Sequence, residues 1–197
     1  DLAIVLLQFI DALSLKQPLV VGSCIGGWIA AEMALLRPQC LGRLMLINPL
    51  GLCMDWTATP NVFYAAPEQV PNFFFVAADL PQARAYVPDR SEWSETFLQN
   101  RLVSSKFVFD PYLHSRTLAH RLHLLTTPAL ILWGEEDPLL GVEHAELWGS
   151  LIPQAQNTVI PGGGHLPYVE KFDAVMHSLL SFISTGTSDE KNKEKAQ

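Results

Sequence analysis

The stretch Gly22-Ser23-Cys24-Ile25-Gly26-Gly27 decides the fold of this chain. It follows a short apolar run, Leu19-Val20-Val21, and its last three residues open a stretch of helical character from Ile25 to Leu36. Small residues two positions before and two positions after Cys24 are typical of a sharp strand-to-helix turn that tolerates nothing larger. The sequence therefore predicts an elbow that raises Cys24 above the end of a strand. The positive N-terminus of the following helix would favour an anion there.

The elbow places Cys24, and not Ser23, at the position of a nucleophile. Ser23 falls at the variable position of the pattern and is expected to point away. A helix N-terminus and a neighbouring histidine both favour the reactive thiolate. Gly27 is expected to let the helix pack closely on the sheet. The alternative is a buried and inert cysteine in a tight turn, because free cysteine is often only a small core residue.

Short apolar strands alternate with amphipathic helices on both sides of a long middle segment. This alternation predicts βαβ units and a parallel sheet. The strands are expected at residues 19–21, 44–47, 129–133 and 158–160, and the helices at residues 1–13, 25–36, 142–151 and 168–183.

Two further chemical groups follow strands later in the chain. Asp137 comes directly after the third strand, in Trp133-Gly134-Glu135-Glu136-Asp137-Pro138, and His165 follows the fourth strand on a glycine-rich loop. The functional residues of parallel sheets lie at this edge. The order nucleophile, acid, histidine is the one found with an elbow of this kind. Glu135 and Glu136 compete with Asp137 for the role of the acid.

The chain divides into four parts by composition. Residues 1–51 and 123–184 carry the strands, the elbow, the acid and the histidine. Residues 52–122 form a predicted helical insertion over one end of the sheet, and they hold twelve of the nineteen aromatic residues. Most of these rings are expected to pack within the insertion, and some to line an apolar pocket. Residues 185–197 are polar and charged and are predicted to be a disordered tail.

Composition excludes several classes of function. The net charge of −7 and the isoelectric point near 5.3 do not fit a nucleic-acid surface, which needs clustered Lys and Arg. No apolar run is long enough to span a bilayer. No metal-ligand spacing is present, and we expect no metal or cofactor. The three cysteines, Cys24, Cys40 and Cys53, contain no Cys-x-x-Cys pair, so a reducing compartment such as the cytoplasm is expected.

Taken together, these motifs resemble the α/β-hydrolase superfamily, in its lidded branch of esterases and carbon–carbon bond hydrolases. The signatures are Val20 to Trp28, Leu132 to Pro138, and Gly163 to Pro167 with Glu170. The resemblance implies a Cys24–His165–Asp137 triad and an oxyanion that accepts the backbone N–H of Ile25. The middle of the chain resembles only a lid, so the substrate is not identified beyond a small, apolar, ester-like compound.

Two departures from the family pattern matter. Most of the family carries serine at the elbow, whereas a cysteine there resembles the dienelactone hydrolases. The family also has about four strands before the first helix of this chain, and one of their loops supplies a second oxyanion N–H. The chain is therefore expected to be a fragment or truncated copy of a protein of about 270–300 residues. The first strand would then leave an exposed apolar edge.

The expected activity is hydrolysis of an ester, lactone or related activated acyl compound. Carbon–carbon bond hydrolysis and acyl transfer are variants on the same scaffold. The alternatives are a ligand-binding protein that keeps the pocket without turnover, and an inactive truncated copy. Retention of both Asp137 and His165 favours the enzyme, because a binding module has no need of them. The oligomeric state is not determined by the sequence.

Overall fold

The structure, a computed structural model, describes residues 2–54, 59–84 and 95–194. Three of the aromatic residues of the insertion, Trp56, Tyr86 and Trp93, lie outside the described residues. The helices are α1 (Leu2–Ala12), α2 (Ile25–Leu36), α3 (Pro81–Arg84), α4 (Glu95–Val108), α5 (Glu143–Leu151), α6 (Pro167–Glu170) and α7 (Phe172–Glu194), and the strands are β1 (Leu19–Ser23), β2 (Arg43–Ile47), β3 (Ala129–Gly134) and β4 (Gln156–Ile160).

The four strands form one parallel sheet in the order β1-β2-β3-β4. Every pair of neighbours is parallel, with Gly22 opposite Leu46, Ile47 opposite Leu132 and Gly134 opposite Ile160. The carboxyl ends of all four strands therefore meet at one edge of the sheet, as the sequence predicted. The elbow, the acid loop and the histidine loop begin at this edge.

Helices cover the sheet on two faces, which explains why its inner strands are apolar on both sides. Leu44 and Leu46 of β2 pack in a large cluster with residues of α1, α2 and α5. Met45 and Ile47 of the same strand pack in a second cluster that includes Val175 and Phe182 of α7. Alternation along β2 thus sends successive side chains to opposite faces.

The β1 side of the sheet is much less covered. β1 pairs only with β2 within the described part of the chain, and Val21 at its centre is 49% exposed. Helix α1 buries Ala3, Leu7 and Ile10 but leaves other large apolar side chains exposed. The latter are Leu2, Ile4, Val5, Leu6 and Phe9. The predicted apolar edge is present, and it extends from the strand onto the first helix.

Between β2 and β3, the described residues form α3, α4 and two 3₁₀ turns, Pro67–Phe73 and Leu122–Leu124. At the other end, α7 continues as far as Glu194, so residues 185–194 are helical and not the disordered tail that was expected. Glu and Lys are good helix formers, and a helix that is already nucleated on the sheet can extend without further packing. No described helix is both long enough and apolar enough to cross a membrane.

Candidate active site

The elbow forces Cys24 into an unusual backbone conformation. Its φ is 56° and its ψ is −124°, a combination that costs a residue with a side chain about 1–3 kcal/mol. The Cys24 N–H donates to Ile47 O at 3.0 Å, and its carbonyl accepts the N–H groups of Gly27 and Leu50, each at 3.1 Å. Two of these bonds join Cys24 to Ile47 at the end of β2 and to Leu50 just beyond it. Ser23, by contrast, is the last residue of β1 and has its hydroxyl buried.

The elbow glycines do not act alike. A Cβ at Gly22 would collide with the carbonyl oxygen of Gly26, and a Cβ at Gly27 would lie 2.7 Å from the Cβ of Pro49. A Cβ at Gly26, however, would meet no atom within 4 Å. A side chain at position 26 would therefore not be crowded, and the expectation that a sharp turn requires a small residue there is wrong. The backbone of Gly26 is the obstacle that requires glycine at position 22.

Ile25 is the first residue of α2. The first N–H groups of a helix have no carbonyl partner within the helix, so the Ile25 N–H can donate to a group outside the helix. This geometry is compatible with the predicted donation to an oxyanion, which stays a prediction.

Asp137 lies in the loop after β3, and its side chain is fully buried. Its Oδ1 accepts the backbone N–H groups of Leu139 and Leu140 at 2.8 and 3.1 Å. Its Oδ2 accepts from His165 Nδ1 and from Asn48 Nδ2, at 2.8 and 2.7 Å. Four donors thus compensate the cost of burying this carboxylate.

The two competing acids lie in the same loop as Asp137 but face solvent. Glu135 and Glu136 are both exposed, and Glu135 accepts the backbone N–H of Gly162 at 3.2 Å. Of the three acids in the loop, Asp137 is the one hydrogen-bonded to His165.

His165 is wholly buried, with Asp137 on one ring nitrogen and Cys24 nearby. Burial alone lowers the pKa of His165, but the charges of Asp137 and Cys24 and the hydrogen bonding outweigh burial and raise the pKa to about 10. Nε2 of His165, on the other side of the ring from Asp137, is buried and has no well-aligned hydrogen-bond partner within the described residues. The side chain of Cys24 is nevertheless close enough to the imidazole to contribute to its raised pKa.

Asn48 is a site residue that the sequence did not reveal beyond its place at a strand end. It is fully buried, with φ at 42°. Its Nδ2 donates to Asp137, and its Oδ1 accepts the N–H of Gly134 at 3.2 Å. Asn48 therefore fixes the acid to the end of β3. The signal available in the sequence was asparagine in Asn48-Pro49, since asparagine tolerates positive φ better than most residues.

A cavity of about 290 Å³ opens beside Cys24. It is lined mainly by apolar side chains, with three polar residues from α4 on one side. The apolar residues include Ile25, Leu50, Val62, Phe63, Val70, Phe74, Val108, Leu113 and Leu139, and the polar ones are Asn100, Arg101 and Ser104. Two of the insertion's aromatic rings, Phe63 and Phe74, line it.

Tyr112 holds the backbone around Val62, a residue that lines this cavity. Its hydroxyl donates to Pro60 O at 2.7 Å and accepts the N–H of Val62 at 2.9 Å. Burial raises the pKa of Tyr112, and the charge of Cys24 adds to that effect. Tyr112 therefore stays a neutral hydrogen-bonding group near the thiol.

The described residues contain no group of three or more His, Cys, Asp or Glu side chains placed to hold a metal ion. The three cysteines are free thiols, and Cys53 is exposed.

Comparison with known proteins agrees with the fold. The chain belongs to the Alpha/beta hydrolase family, whose sequence profile matches residues 1–177. It is 29% identical over 195 residues to a 2-hydroxy-6-oxononadienedioate/2-hydroxy-6-oxononatrienedioate hydrolase of Comamonas testosteroni, covering 89% of this chain and 66% of that protein.

Other similar proteins are more distant in sequence. The chain is 23% identical to a human monoacylglycerol lipase, over 95% of this chain and 61% of the lipase. The crystal structure of a membrane phospholipase A, described as a bacterial virulence factor, superposes with a TM-score of 0.75 at 23% identity, over 93% of this chain and 62% of that chain. The chain thus spans just under two thirds of the length of these relatives.

Proposed function

We propose that the protein is a hydrolase of esters, lactones or related activated acyl compounds that carry an apolar group. Cys24 would be the nucleophile, His165 the acid and base, and Asp137 the group that orients the histidine. The observation that carries the proposal is the buried 2.8 Å hydrogen bond from His165 to Asp137 beside a thiol held at a strained elbow. Such strain and burial cluster at functional sites.

The proposed chemistry follows from the charges at this edge. With its pKa raised to about 10, the imidazole of His165 would be a cation at neutral pH, and a cation beside a thiol favours the thiolate. The sulfur would attack the carbonyl carbon, and the oxyanion would accept the Ile25 N–H. His165 would then protonate the leaving alcohol, leaving a thioester on Cys24. A water deprotonated by His165 would cleave the thioester and regenerate the thiol.

The cavity supports an apolar substrate group, because nine of its lining residues are the apolar side chains named above. A second candidate is carbon–carbon bond hydrolysis of a carboxylated ketone, the kind of compound named in the Comamonas relative. Arg101 favours it as a cation in the cavity wall, although its Nη2 already donates to Val62 O and Ala65 O. A neutral ester and a carboxylated ester of equal size would separate the two candidates by their KM values.

The first test is alkylation of the chain with iodoacetamide from pH 5 to 9, with the rate at each cysteine read by peptide mass spectrometry. Alkylation requires no oxyanion donor and no substrate, so it reports only whether the thiolate is formed. We expect Cys24 to react at pH 6 faster than Cys40 and Cys53 by about tenfold or more. Because His165 supplies the cation, His165→Ala should remove this advantage. Turnover of a short nitrophenyl ester, lost in His165→Ala, completes the test.

The outcomes separate the hydrolase, the ligand-binding protein and the inactive copy. Fast alkylation together with turnover supports the hydrolase. An apolar dye that binds tightly without turnover, while Cys24 stays inert, would support the ligand-binding alternative. Equal alkylation of all three cysteines would contradict an assembled site and would favour the inactive copy.

A further inference from the structure

Glu170 links two parts of the chain that lie far apart in sequence. Its Oε2 accepts the backbone N–H of Gly164 at 2.8 Å, in the loop directly before His165. Its Oε1 accepts the backbone N–H of Val76 at 2.9 Å, in the insertion. One carboxylate therefore holds the histidine loop and the insertion at the same time.

The segment Phe74–Val76, which we call the roof segment, makes two more contacts with the same loop. The N–H of Leu166 donates to Phe74 O at 3.2 Å. Phe75 is 3% exposed and packs in a small apolar cluster with Leu166. Hydrogen bonds and an apolar contact thus fasten the roof segment to residues on both sides of His165.

The roof segment also reaches the reacting groups. The ring of Phe74 lies 5.6 Å from the imidazole of His165, centroid to centroid, and it lines the cavity beside Cys24. Gly164 leaves just enough space for this approach. A Cβ there would lie 2.6 Å from Glu170 Oε2 and 2.9 Å from Phe74 O.

From these contacts we propose that Glu170 is a positioning residue that couples the roof segment to the histidine loop. The position of Phe74 at the cavity and the position of His165 against Cys24 then depend on the same carboxylate. This inference rests on the proposed function for its catalytic consequence, but the coupling itself is a property of the structure. The carboxylate is suited to the task because each of its two oxygens accepts, whereas glutamine has one acceptor and one donor.

The test compares two isosteric substitutions, Glu170→Gln and Glu135→Gln. Both remove one negative charge and weaken a bond to a backbone N–H of the histidine loop, since Glu135 accepts the Gly162 N–H. Only Glu170 also reaches the insertion. Amide hydrogen exchange, monitored by NMR, measures how well the backbone N–H groups of Val76 and Leu166 are protected by their hydrogen bonds. Cysteine alkylation across pH 5 to 9 measures the consequence at Cys24.

In Glu170→Gln we expect exchange at both Val76 and Leu166 to rise by about tenfold or more, because charged hydrogen bonds are the stronger ones. The pH profile of Cys24 alkylation should shift toward that of Cys40, a change that a merely structural bond would not produce. Glu135→Gln should leave the exchange of Val76 and Leu166 and the profile of Cys24 unchanged. Thermal melts of both variants show that they are folded.

Faster exchange at Val76 alone, with Leu166 and Cys24 unchanged, would overturn the coupling. So would equal effects of the two substitutions. If Cys24 is not activated even in the unaltered chain, the proposed function fails by itself, and joint exchange of Val76 and Leu166 still decides the coupling. If Glu170→Gln does not fold, Glu170→Asp serves instead, because the shorter side chain keeps the charge but cannot reach both amides.

Discussion

The carboxyl edge of the sheet and the insertion above it are held together in different ways. At the edge, Asn48, Asp137 and His165 are buried, and hydrogen bonds join all three. In the insertion, helix α4 leaves a row of apolar side chains about half exposed, namely Leu98, Leu102, Val103 and Phe107. Buried and paired groups fix a geometry, whereas an exposed helix face contributes little to folding. Chemistry is therefore expected to depend on the edge, and substrate preference on the insertion.

The largest effect should follow from Asp137→Asn, which removes the acceptor of the His165 Nδ1–H. By analogy with the same change in serine-type triads, ester turnover should fall on the order of 10⁴-fold, because the His165 cation loses the carboxylate that stabilises it and the neutral imidazole that forms during the reaction adopts the wrong tautomer. Steady-state kinetics on the nitrophenyl ester measure the loss. Glu136→Gln, in the same loop but exposed, is the matched control and should stay near the starting rate. Similar losses in both variants would contradict the assignment of the acid.

A second comparison sets the sheet core against the insertion directly. Leu46→Ala should lower the free energy of unfolding by about 2–5 kcal/mol, because Leu46 is fully buried and the cavity cannot collapse. Leu102→Ala should change it by less than about 0.5 kcal/mol, since Leu102 is 60% exposed on α4. Urea titrations of the two variants measure both values. Equal losses would mean that the insertion is as firmly packed as the sheet.

The smallest effects test the elbow. Gly22→Ala should destabilise the fold by about 1–3 kcal/mol through overpacking, because its Cβ would collide with Gly26 O. Gly26→Ala should stabilise it by about 0.5–1 kcal/mol, because position 26 lies inside α2 with open space for a Cβ. Urea titration again gives the numbers. A loss at position 26 as large as that at position 22 would restore the view that both positions require glycine.

Much of the framework was readable from local sequence. Apolar runs bounded by Gly and Pro gave the four strands, and the predicted helix from Ile25 to Leu36 has the same bounds in the structure. These features are local because strand and helix periodicities and the steric demands of a sharp turn act within a few residues. The exposed β1 edge was also predicted. The continuation of α7 to Glu194 was not, since polar residues on a preformed helix resemble a disordered tail in composition.

The sequence by itself determined the parallel sheet, the elbow at Cys24 and the placement of an acid and a histidine at strand ends. It favoured Asp137 as the acid but left Glu135 and Glu136 as competitors, because all three follow the same strand. Only the tertiary structure placed Asp137 against His165. It also decided that Asn48 binds an acid 89 residues away and that Glu170 reaches Val76, 94 residues away. Hydrogen bonds between such distant residues depend on how the whole chain packs, and no local pattern records them.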